Sequence, residues 1–61
     1  MDNQELRRLK EELGISSFKI NYKTGVHYGV VEDFFAGKTD TLAPRDRERI
    51  EQLIAKEAKK R

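Results

Sequence analysis

Cysteine is absent from this 61-residue chain, which excludes disulfides and thiolate metal sites and makes a reducing cytoplasm the expected compartment. The one histidine, His27, has no second His or Cys with which to share an ion, so no metal and no other cofactor is expected. No apolar run approaches the roughly 20 residues that cross a bilayer. No signal-peptide pattern is visible either, and no membrane association is expected. Aromatic residues make up only 8% of the chain and do not interleave with a basic stripe, which disfavours RNA binding.

Enzymatic signatures are missing as well. There is no Ser-His-Asp arrangement with a pocket to hold it, and a chain this short rarely encloses a substrate-sized cavity. Gly37 to Thr41, GKTDT, has the end of a phosphate-binding loop but neither its earlier glycine nor the strand before it. Glu32 and Asp33 are adjacent, diverge by about 100° on a helix, and cannot act as a catalytic carboxylate pair. Neither an enzyme nor a small-molecule substrate is expected.

What is present is charge, at 39% of residues, with 36% hydrophobic and a net charge of +2. Residues 1–16 carry a net −1, from Arg7, Arg8 and Lys10 against Asp2, Glu5, Glu11 and Glu12. Residues 17–38 carry a net +1, and the remainder a net +2 with Lys56, Lys59, Lys60 and Arg61 crowded at the end. A sequence pI near 9.1 favours an anionic partner. The terminal Lys59-Lys60-Arg61 run reads as a solvated tail that can attract phosphate. The length suits one core of three or four short helices with modest stability. Residues 1–61 therefore read as a single domain, complete or part of a longer protein.

Apolar periodicity and punctuation define the helices. Leu6, Leu9 and Leu13 fall on one stripe of a first helix from about Asn3 to Leu13, with Asp2 and Glu5 placed as a capping box. Arg7, Arg8, Glu11 and Glu12 are expected to face water. Gly14 ends that helix, and Ile15 is placed to pack back on it. Ser16 caps a second helix from Ser17 to about Thr24, Gly25 closes it, and a third runs from about Tyr28 to Ala36 before Gly37. Leu42 is expected to tuck into the core from the loop that follows. Pro44 suits the first turn of a last helix whose apolar stripe is Ile50, Leu53 and Ile54, extended by Ala58. The tail after Ala58 is expected to fray.

The second and third helices, joined by a tight turn at Gly25 with Ile20, Val26, Val31 and Phe34 beneath them, have helix-turn-helix spacing. The segments LKEELGIS (Leu9 to Ser16), Gly25-Val26, Val31 with Phe34, FFAGK, and PRDRERIEQLI (Pro44 to Ile54) together resemble the lambda-repressor-like (Cro and Xre type) helix-turn-helix family. The resemblance implies an all-α, four-helix domain and a bacterial or phage transcription regulator, a repressor being typical. It further implies double-stranded DNA as partner, usually bound by a homodimer with the third helix in the major groove.

Carried over by position, His27, Tyr28, Gly29, Glu32, Asp33 and Ala36 would face the groove. Ser17 would touch phosphate or support a base contact, and Lys10 and Lys38 would flank the backbone. His27 fits either a helix-capping role or a DNA contact, and Tyr28 either a DNA contact or packing beside the turn. Two features depart from the family. Asn21 replaces the usual alanine and either bonds across the turn or widens the crossing. The reading helix carries two acids and no Arg, Lys, Asn or Gln, the usual donors to purine edges.

That second departure keeps another reading open: a protein-interaction module whose acidic-aromatic surface is Tyr28, Glu32, Asp33 and Phe35. Phe35 either covers the last helix or belongs to that surface. Phe18 and Tyr22 are expected to be half-buried against the last helix, the open alternative marking a protein interface. Dimerisation would use exposed parts of Ile50 to Ala58, or a segment beyond Arg61.

Overall fold

The computed structural model describes residues 1–60; Arg61, assigned above to the basic tail, lies outside them. The described residues are all-α. Four helices follow in order: α1 (Asn3–Glu12), α2 (Ser17–Thr24), α3 (Tyr28–Phe35) and α4 (Pro44–Lys59). The second packs on the third and fourth, and the first on the fourth.

Local signals start and stop each helix. Asp2 Oδ1 accepts from Glu5 N at 2.8 Å and Ser16 Oγ accepts from Lys19 N at 3.0 Å, each satisfying an orphan amide. The reciprocal half of the expected capping box does not form. Pro44 opens α4, where its missing N–H has no helical partner to lose. α1 closes in a Schellman motif: Gly14 N reaches Glu11 O at 3.1 Å and Ile15 N reaches Lys10 O at 3.0 Å. The same pair of bonds recurs after α3, from Gly37 to Phe34 O and from Lys38 to Asp33 O. These closures make Leu13 and Ala36 cap residues, one position short of the helical roles expected for them.

Leu6, Ile15, Ile20, Val26, Val31, Phe34, Ile50 and Ile54 form one core, with Leu9, Leu13, Phe35, Leu42 and Leu53 packed against it. Every helix contributes, and two of the three residues that follow a positive-φ glycine, Ile15 and Val26, are buried immediately after the chain reverses, while Lys38 after Gly37 is exposed.

Several expectations are corrected by the packing. Arg7 does not face water: it is half-buried across the α3–α4 connection. Its Nε donates to Phe34 O at 2.9 Å and its Nη2 to Thr39 O and Asp40 Oδ1 at 3.0 Å, while the guanidinium lies 4.7 Å from the Phe34 ring centroid. Arg47 is a second clamp, donating to Asn3 Oδ1 at 2.6 Å and to Met1 O at 2.5 Å. Phe18 and Tyr22 are not half-buried against α4 but 69% and 75% exposed, because α2 turns Ile20 and Thr24 inward and these two outward. Ala58 is exposed and adds nothing to the core stripe, and α4 ends one residue past it, at Lys59.

Candidate functional site

The site is built around the turn between α2 and α3. Gly25 takes φ +79°, the left-handed conformation in which a Cβ crowds the following carbonyl, and its N–H closes on Asn21 O at 2.9 Å. Thr24 Oγ1 donates to Ile20 O at 2.5 Å and accepts from Val26 N at 3.1 Å. Asn21 Nδ2 donates to Val26 O at 2.7 Å, so Asn21 bonds across the turn. The result is a rigid joint in which Val26 is buried and His27 can open the next helix. Its Nδ1 accepts from Gly29 N at 3.0 Å, which is the capping role. Gly29 permits that arrangement, since a Cβ there would stand 3.2 Å from His27 Nδ1.

Glu32, one turn further along α3, is the centre of the site. Its Oε2 accepts from Ser17 Oγ at 2.7 Å and its Oε1 from Tyr28 OH at 3.0 Å. The carboxyl pKa is lowered, first by the Ser17 hydrogen bond, then by the Tyr28 bond, with smaller contributions from the Lys10 and Lys38 charges. Tyr28 is shifted the other way, above its ordinary value, because its phenolic hydrogen is held by a carboxylate. Lys10 Nζ rests 5.4 Å from the Phe35 ring centroid, which directs an otherwise mobile side chain towards this side of the molecule.

The expected positions therefore fall into two groups. Ser17, Tyr28 and Glu32 form one hydrogen-bonded cluster, and Lys10 and Lys38 add their field to it. His27, Gly29 and Asp33 adjoin the cluster without joining it: His27 and Gly29 are bonded to each other, and Asp33 is exposed with its side chain in solvent. Ser17 itself is buried, with its hydroxyl turned to Glu32 and not outward. The Ser17–Glu32 bond was not legible in the sequence; a hydroxyl at the first turn of α2 and a carboxylate one turn into α3 are its only signal.

The acidic-aromatic surface changes most. Phe35 is half-buried, packed on the core with its ring 5.1 Å from that of Phe34, so Tyr28 is the one aromatic left beside Glu32 and Asp33. The surface expected to support dimerisation is reduced too: Ile50 and Ile54 are fully buried and Leu53 packs on the core. Among the described residues no group of His, Cys, Asp or Glu is arranged to hold a metal ion, and no helix is long and apolar enough to cross a membrane.

No protein-family model, curated protein or solved structure matches this chain.

Proposed function

We propose that this chain is a sequence-specific DNA-binding regulator on a lambda-repressor-like helix-turn-helix scaffold of bacterial or phage type, with α3 entering the major groove. The observation that carries the reading is the convergence of Ser17, Tyr28 and Glu32 in one cluster, with Lys10 and Lys38 beside it. A carboxylate on a reading helix meets a polyanion and is unfavourable unless it is held in place and locally neutralised. Here two hydroxyls orient it and two lysines offset its charge.

A carboxylate has about four lone-pair sites, and Ser17 and Tyr28 occupy two. The others can accept from cytosine N4, the one base-edge amine for which Glu is the usual partner. Tyr28 lies where its ring can touch a thymine methyl or its hydroxyl a phosphate. Lys10 and Lys38 supply phosphate contacts, while Ser17 supports the base contact.

The test is selection from a random duplex DNA pool at low salt, followed by salt titration of the enriched sequences. The expected result is a motif with a cytosine that Glu32→Gln converts to adenine preference, and a palindromic motif would add a dimer. Retention with no motif sinks the sequence-specific reading. No retention at any salt removes DNA altogether and turns attention to the Tyr28–Glu32–Asp33 face as a protein contact.

A further inference from the structure

Unpaired positive charge also gathers away from α3, in an open groove of about 310 Å³ between the C-terminal half of α2 and the middle of α4. Lys23, Thr24, Arg49, Gln52, Leu53 and Lys56 line it. Three of the six are cations and none is an acid. Among the described residues, none of the three cations forms an ion pair, whereas Arg47 is matched by Glu51, and Lys19 and Lys60 by Glu57. Arg49 Nη1 makes one long bond, 3.4 Å to Thr24 O, and Lys23 Nζ sits 5.9 Å from the Tyr22 ring centroid. Spacing explains the arrangement on α4: Arg49, Gln52, Leu53 and Lys56 recur at three- and four-residue intervals and so share one face. The acids Glu48 and Glu51 fall on another, and Glu57, which lines the adjoining groove, is taken up by Lys19 and Lys60.

Like charges facing one another across two packed helices repel, and they are relieved when an anion bridges them. Two further features say what kind of anion. The floor holds the partly exposed side of Leu53, an apolar surface that a bare phosphate leaves uncovered. Beyond the α2 rim stand Phe18 and Tyr22, one turn apart and the two most exposed large apolar side chains of the molecule. A cationic wall, an aliphatic floor and an aromatic ridge complement a segment that carries carboxylates and an apolar side chain together.

We infer that the α2–α4 groove docks a short acidic segment of a partner protein. Carboxylates of that segment pair with Lys23, Arg49 and Lys56, one aliphatic side chain rests on Leu53, and a flanking residue packs on Phe18 and Tyr22. None of these residues belongs to the Ser17–Tyr28–Glu32 cluster, so the inference stands or falls separately from the DNA reading.

The test is selection of a displayed library of random dodecapeptides on the immobilised full chain. Binding of the enriched peptides is then measured by fluorescence anisotropy and mapped by backbone amide shifts. Expected are peptides that combine acids with an aliphatic residue and shift the amides of Lys23, Thr24, Arg49, Gln52, Leu53 and Lys56. Their affinity should fall at least tenfold on the double variant Lys23→Glu, Lys56→Glu, and on replacement of the peptide's aliphatic residue by serine. The variant's fold is checked by circular dichroism, and Arg8→Glu, Arg45→Glu controls for the same change in net charge elsewhere. The amide-shift map needs no substitution and serves if the double variant unfolds. No enrichment, enrichment without acids, shifts elsewhere, or indifference to the reversal overturns the inference. Indifference to the serine replacement, with single-stranded DNA shifting the same amides, also overturns it and makes the groove a phosphate-backbone site.

Discussion

Ser17 Oγ donates to Glu32 Oε2 at 2.7 Å, joining the first residue of α2 to the middle of α3 across the turn. The bond ties the orientation of a charged surface side chain to the geometry of the helix pair. Ser17→Ala removes the largest cause of the lowered Glu32 pKa, so that pKa should rise towards the ordinary carboxylate range. Tyr28→Phe should act in the same direction by a smaller amount. A carboxyl-detected NMR pH titration of Glu32 in the three proteins checks both. An unchanged titration in Ser17→Ala would mean that the bond does not hold Glu32 in solution.

Glu57 predicts the shape of the acid limb of stability. The bond from Lys19, then that from Lys60, lowers its pKa from the ordinary 4.5 to about 2. A carboxylate whose pKa is depressed on folding binds its proton more readily in the unfolded chain. Its contribution is complete above about 4.5 and is lost as pH falls towards 2. Thermal melts across that window should show stability falling with pH, and Glu57→Gln should flatten the fall.

Arg7 stabilises the α3–α4 connection together with Asn3 Nδ2, which donates to Asp40 O at 2.7 Å, and Leu42, which packs on the core. Two of its acceptors are main-chain carbonyls, Phe34 O and Thr39 O, on either side of the turn at Gly37. Arg7→Ala removes these charge-assisted bonds and the stem's packing, and should destabilise the domain by about 2 kcal/mol. Arg7→Lys should recover only part, because an ammonium cannot place a donor on each acceptor at once. Urea denaturation distinguishes the two.

The turn between α2 and α3 should be sensitive at two residues for different reasons. Gly25→Ala meets nothing closer than Arg49 Nη1 at 3.9 Å, so its cost is conformational, about 1 kcal/mol for an L-residue at φ +79°. Asn21→Ala removes the bond to Val26 O, and should cost about 1 kcal/mol as well. If Asn21→Ala proves neutral by denaturant titration, closer helix packing has replaced the lost bond.

Two substitutions separate base contact from phosphate contact under the DNA reading. Tyr28→Ala should weaken the selected sequence about tenfold while leaving non-specific DNA nearly unaffected. Lys38→Ala should weaken all sequences about equally and reduce the slope of log affinity against log salt by about one. Anisotropy titrations at several salt concentrations read both.

Local chemistry accounts for what was legible before the fold was known. Caps at Asp2, Ser16 and His27, the helix-opening Pro44, and reversals at Gly14, Gly25 and Gly37 act within a few residues of themselves. The four helices could therefore be placed to within a residue or so, except at the C-terminal end of α4. The inward stripes of Leu6, Ile20, Val31, Phe34, Ile50 and Ile54 follow from helical period alone.

Partnership between distant segments is not local, and there the outcomes differ. Arg7 lies on the outer flank of its own helix, and only the passage of residues 34–40 over that flank turns it into a clamp. Phe18 and Tyr22 carry an apolar label that asks for cover, but α4 meets the other side of α2 and leaves them in water. Phe35 shares no face with Phe34, yet finds shelter beneath Lys10. The sequence by itself determined where the helices start, stop and turn inward, since those choices rest on backbone sterics and period. Only the tertiary structure decided which polar groups meet, including Ser17 with Glu32 and the three unpaired cations with one another. Those meetings depend on how the helices cross, which no single segment encodes.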